Sequence, residues 1–166
     1  MQWVIIILVS AGGFYLSWYL KNKKKTELMS KGLIVERNDS FFKQAHVFAT
    51  RVGDFSAIAA YIDRNALNEQ KITFEPYIGH GQIVFNNQIN FGSFRARLTT
   101  LGMSNGLYYY QFQVEAWRDG QYGTTRQDIF GANVVLTAIE RAFLRLDPET
   151  GANHAEAAYM TKPGLI

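Results

Sequence analysis

The side chains best suited to acid–base or metal chemistry near neutral pH are three histidines, His46, His80 and His154. None has a second histidine or a carboxylate at a ligand spacing such as i, i+4, and they fall in a predicted helix, a glycine turn and a C-terminal tail. A metal site is therefore not expected, and neither is a bound cofactor. Gly79-His80-Gly81 is followed by neither a helix start nor a lysine, so it is not a phosphate loop. No serine stands in a nucleophile elbow. The chain has no cysteine, which removes disulfides, thiol catalysis and thiolate metal sites together. Asn38-Asp39-Ser40 matches a glycosylation sequon, irrelevant to a chain region held in the cytoplasm.

The constellation that remains is Arg95, Arg97, Tyr109 and Trp117. In a hairpin of alternating residues all four point by parity away from the apolar side, and an aromatic beside arginine is a common anchor of protein interfaces. This set is the candidate protein-binding face. The plainer account is a solvated sheet face on which Arg95 and Arg97 pair across the hairpin with Gln111, Gln113 and Glu115. An alternative from another class is a small enzyme or ligand-binding domain with a pocket between helices and sheet, using His80, Glu75 or Glu115 as its ionisable group.

The elements that position these residues are strands. Ile72–Ile78 and Gln82–Phe91 read as strands joined by the glycine turn. Phe94, Ala96 and Leu98 alternate with Arg95, Arg97 and Thr99; a turn over Gly102–Gly106 follows, then Tyr108, Tyr110, Phe112, Val114 and Ala116 alternate with polar residues. Pairing Leu101 with Leu107 would set Leu98 opposite Tyr110, Ala96 opposite Phe112 and Phe94 opposite Val114. Asp119-Gly120 marks a further turn before a short strand at Tyr122–Thr125.

Helices flank the strands. Phe41, Ala45, Phe48, Val52, Phe55, Ala59 and Ile62 recur every three or four residues, which predicts one buried helical stripe. Gly53-Asp54 should cut it into two short helices or bend it. Asp128 is the expected N-cap of a helix carrying Ile129, Ala132, Leu136, Ile139, Phe143 and Leu146, which Asp147-Pro148 ends. The predicted fold class is α+β: an antiparallel sheet of four to five strands with helices packed on one face. The order of elements is loosely similar to the NTF2-like class, which includes enzymes and membrane-anchored assembly subunits; the final helix departs from that pattern.

Trp3–Leu20 holds no charge over 18 residues, enough helix to span about 27 Å, near the thickness of a bilayer's hydrocarbon core. Trp3 at one end and Trp18 and Tyr19 at the other suit the headgroup zones. Val9-Ser10-Ala11 offers a signal-peptidase site, but no basic residue precedes the apolar run. The expected segment is thus a retained single-pass signal anchor. Lys21, Lys23, Lys24 and Lys25 follow it as membrane-surface contacts and, by the positive-inside rule, hold the following domain in the cytoplasm.

Those four lysines and Lys31 are five of the 17 basic residues, against one acid, Glu27, of 14. The 12 basic and 13 acidic side chains left in residues 32–166 give no broad positive field, so nucleic acid is not an expected partner. The organisation expected is an anchor and lysine-rich junction over 1–31, one domain over 32–148 and a mobile tail over 149–166. The expected function is a membrane-anchored, non-enzymatic binding or assembly module, with the lipid bilayer and a protein as partners.

Overall fold

The structure, a computed structural model, describes residues 15–16, 18–20, 22–89, 92–117, 119–120, 123–124 and 126–156. The chain forms two compact units, Met1–Val35 and Glu36–Ile166. In the first, residues 15–16 and 18–20 are helical and helix α1 covers residues 22–30. Gly32, at φ 66°, ends it: its N–H reaches Met29 O at 2.8 Å and Leu33 N–H reaches Leu28 O at 2.8 Å. A left-handed residue in this place satisfies the last helical carbonyls. Most of the apolar segment, residues 3–14 and 17, lies outside the described residues, as does Lys21. Among the described residues no helix is long and apolar enough to cross a membrane.

The second unit is α+β, with a six-stranded antiparallel sheet in the order β2-β3-β4-β5-β1-β8. Its strands are β1 (Gln44–Thr50), β2 (Ile72–Tyr77), β3 (Gln82–Ile89), β4 (Gly92–Ser104), β5 (Leu107–Trp117) and β8 (Gly151–Glu156). Two two-residue strands, β6 (Asp119–Gly120) and β7 (Gly123–Thr124), pair separately. Helices α2 (Phe55–Tyr61), α3 (Arg64–Glu69) and α4 (Arg126–Leu146) complete the unit. Asp54 and Asp63 cap the two short helices, each carboxylate accepting two backbone N–H groups of the first turn.

Where the apolar ladder predicts one helical stripe from Phe41 to Ile62, only its second half is helical. Phe41 lies in a 3-10 turn, Asp39–Lys43, and Ala45 and Phe48 lie on strand β1. The inward set of β1 is His46, Phe48 and Thr50, two of them polar and therefore invisible to hydropathy. Burial is affordable because His46 Nε2 lies 3.0 Å from Phe41 O and Thr50 Oγ1 donates to Asp147 Oδ2 at 2.9 Å. The sheet has six strands rather than four or five for this reason and for one other: residues 151–156 of the expected mobile tail form β8, paired with β1 from Gln44↔Glu156 to Ala49↔Gly151. Glycine, alanine and asparagine give that strand no apolar alternation to read.

The core lies between the helices and one sheet face. Phe143 of α4 stacks on Phe48 at 4.8 Å between centroids and tilts against Tyr110 at 5.2 Å, while Phe55 of α2 stacks on Tyr110 at 5.7 Å. Leu98, Phe85, Phe112 and Ile83 fill the rest. Burying each such side chain contributes about 1.5–3 kcal/mol. Helix α4 approaches closely at Gly131, where a Cβ would lie 2.9 Å from Phe94 Cε1 and 3.1 Å from Asn87 Nδ2. The helix begins at Arg126, two residues before the expected cap, and Asp128 is buried in its first turn.

Candidate functional site

Two β-bulges decide which side chains share the second face of the sheet. Ala96 pairs with Val114 but Arg95 pairs with Ala116, so Glu115 is an extra residue on β5; Thr100 pairs with Tyr110 but Gly102 with Tyr109, so Leu101 is an extra residue on β4. Each extra residue reverses the alternation that follows it. The turn itself is Asn105-Gly106, both left-handed at φ 51° and 77°, with Ser104 opposite Leu107. The observed pairs Leu98↔Phe112, Ala96↔Val114 and Phe94↔Trp117 replace the expected ones.

Trp117 is consequently a core residue. It is 2% exposed, meets Phe42 edge-on at 5.5 Å, and has the Lys43 ammonium 5.9 Å from its ring centre. Its expected place on the outer face fails because the Glu115 bulge reverses the alternation after it. Arg95 is exposed, while Arg97 and Tyr109 are half-buried. The face is not simply solvated: Val84, Gln113 and Glu115 on it are buried.

At its centre Arg97 Nε lies 3.1 Å from Glu115 Oε1, and Arg97 Nη1 donates to Gln82 Oε1 at 3.3 Å. Beside them Gln111 Nε2 donates to Gln113 Oε1 at 2.9 Å. Burial pushes the Glu115 carboxyl above the usual range, outweighing the opposite pull of Arg97 and then Arg95. Glu115 Oε2 and Arg97 Nε have no aligned hydrogen-bond partner. A buried carboxyl in this condition can hold a proton or accept a donor from a ligand.

The other ionisable candidates do not join it. Glu75 is exposed on β2 and accepts from Tyr77 Oη at 3.0 Å and Asn86 Nδ2 at 3.3 Å. His80 is exposed in the 3-10 turn Ile78–His80, beyond the end of β2. His46 and His154 stand opposite each other in the β1–β8 register, on neighbouring strands rather than on unlike elements. Among the described residues no three His, Asp or Glu side chains are grouped to hold a metal ion. Lys23 is exposed and Lys24 and Lys25 are half-buried; a shallow open groove along α1 is lined by Trp18, Tyr19, Asn22, Lys23 and Thr26, among others.

Two polar hubs escape pattern reading because their partners are far apart in sequence. The Arg37 guanidinium donates to Asn133 Oδ1, to Thr137 Oγ1 at 2.9 Å and to Glu140 Oε2, and so clasps the start of the unit to α4. Asp147 accepts from Thr50 Oγ1 and, at 2.8 Å, from Arg51 N–H; these bonds, the second foremost, hold its carboxyl below the usual range. Asp147-Pro148 marks a helix end in the sequence, but nothing there reveals the link to β1.

No protein-family model matches the chain, and no curated protein or solved structure is significantly similar to it.

Proposed function

We propose that the chain is a membrane-tethered, non-enzymatic binding or assembly module. In this reading Trp3–Leu20 is a single-pass anchor, the lysines after it contact anionic headgroups, and the α+β domain works on the cytoplasmic side. The observation that carries the non-enzymatic part is the filling of the helix–sheet interface by Phe48, Phe85, Phe112 and Phe143, all buried. That interface is where a pocket would belong in the enzymatic alternative, and Glu75, Glu115 and His80 are spread over a sheet face, a bulge and a turn instead of converging. Arg95 is the exposed member of the proposed protein-binding face, with Arg97 and Tyr109 half-buried on it.

The test is photo-crosslinking from Arg95 and Tyr109 in membranes, each replaced in turn by a photoreactive residue, with Asn68 on α3 as control. A discrete protein adduct from the first two positions and none from the third supports the reading. Adducts equal at all three positions refute it.

A second reading keeps a ligand at Arg97 and Glu115, favoured by the buried and unbonded Glu115 Oε2. A small polar ligand donating to that oxygen should raise the melting temperature of the native chain and leave Glu115→Gln unmoved.

A further inference from the structure

Strand β8 sits at an edge of the sheet with β1 on one side only. Its composition does little to hold it there: Gly151, Ala152 and Asn153 are exposed, and glycine, alanine and asparagine are poor strand formers. One pair in its register joins two ionisable residues, His46 of β1 and His154 of β8. Residues opposite each other on antiparallel strands have their Cβ atoms about 4.5–5.5 Å apart, so the register sets two imidazole-bearing positions side by side. His46 is 3% exposed, with the Phe41 ring 6.2 Å and the Phe112 ring 6.1 Å from its own between centroids. Its Nε2 lies 3.0 Å from Phe41 O. A carbonyl only accepts, so Nε2 carries the proton of the neutral ring and a second proton would go to Nδ1.

We propose that His46 and His154 form a pH-sensitive latch on the edge strand: both are neutral while β8 is paired, and both take up protons as acidification releases β8 from β1. Charge is costly to place between the Phe41 and Phe112 rings, and like charges directly opposite each other destabilise a strand pair. The surroundings compensate little. Glu140 of α4 is committed to Arg37, whose guanidinium lies 5.9 Å from the Phe41 ring centre and adds positive charge on that side. Strand β5 sets Phe112 opposite His46, with Tyr110 and Val114 at the alternate positions and no carboxylate among them. Asp39 and Lys43 of the 3-10 turn are both exposed. On β8 the nearest carboxylate in sequence is Glu156, opposite Gln44 at the strand end.

The released state binds more protons, so pairing weakens as pH falls. A histidine held neutral in the paired strand, titrating at about 6.5 once released, raises the release equilibrium about tenfold between about pH 7.5 and about pH 5.5; two raise it about a hundredfold.

Amide hydrogen exchange of the full chain in detergent reads the latch, each rate being compared with the intrinsic rate at the same pH to give a protection factor. From about pH 7.5 to about pH 5.5, protection over residues 151–156 should fall more than about tenfold while protection over β4 holds. His154→Gln is chosen over a change at the buried His46 because an edge position tolerates substitution, and it should cut that fall at least about threefold by removing one titrating ring. Equal protection at the two pH values overturns the proposal. So does a fall shared by β4, which is unfolding of the whole domain, or a fall over residues 151–156 that His154→Gln leaves intact.

Discussion

Replacing Trp117 distinguishes a bulged β5 from a regular one. In a regular strand its ring faces outward, and Trp117→Ala should cost within about 0.5 kcal/mol, as surface changes do. With Glu115 as the extra residue the ring is 2% exposed and packed edge-on against Phe42, which in turn meets Phe94 edge-on at 6.4 Å. Truncation then removes a large apolar area and leaves a cavity, a change that costs about 3–5 kcal/mol in protein cores. About 0.5–1.5 kcal/mol of that is the edge-on geometry itself, which Trp117→Leu would also lose. Against a total stability of about 5–15 kcal/mol the change is large. Urea unfolding followed by far-ultraviolet circular dichroism measures it, with Arg95→Ala as the exposed neighbour expected within about 0.5 kcal/mol. A Trp117→Ala midpoint equal to that of Arg95→Ala would refute the bulge and return the indole to the outer face.

Further outcomes follow from the same geometry. Gly131→Ala should lower the thermal midpoint although alanine favours helix by about 1 kcal/mol, because overpacking against the buried Phe94 ring costs about 1–3 kcal/mol; an unchanged or higher midpoint would show that the ring yields freely. The raised pKa of Glu115 means that the native chain keeps a proton which the unfolded chain loses near the usual value of about 4.3, so stability should fall as pH rises from there through the native value. Glu115→Gln should abolish that slope, and a slope of the same size in the variant would assign it to other groups. Residues 36–156 should unfold cooperatively without the N-terminal unit, and a chain cut after residue 148 should be less stable and aggregate, since it bares the edge of β1; equal urea midpoints for the two would count against β8.

Sequence reading succeeded where one physical cause dominates. The β4–β5 hairpin is legible as a hairpin because its inward residues are apolar and the turn falls within Gly102–Gly106, but its register is not, since Leu98 pairs with Phe112 and not Tyr110; α4 is legible because Ala132, Leu136, Ile139 and Phe143 keep a helical period over several turns. Strand β1 departs from the expected helix because apolarity and burial part company there. His46 and Thr50 are buried by virtue of hydrogen bonds to Phe41 O and to Asp147, the second of which lies 97 residues away. No local window around Thr50 contains Asp147, and no hydropathy pattern marks the Phe41 carbonyl as the partner of His46. The same holds for Arg37, whose partners on α4 are about 100 residues distant.

The candidate site shows how a small irregularity moves a functional assignment. A pattern of period two carries its phase only until an extra residue intervenes, and β5 contains nothing in its sequence that announces one: no glycine or proline interrupts residues 107–117. The bulge is held by what surrounds it. With Glu115 as the extra residue, its carboxyl reaches Arg97 while Trp117 turns back to Phe42; in a regular strand Trp117 would share the face of Glu115 and leave the core. The indole's burial and the carboxyl's raised pKa therefore have a common origin, since the stability gained by packing the ring offsets the cost of holding Glu115 away from water.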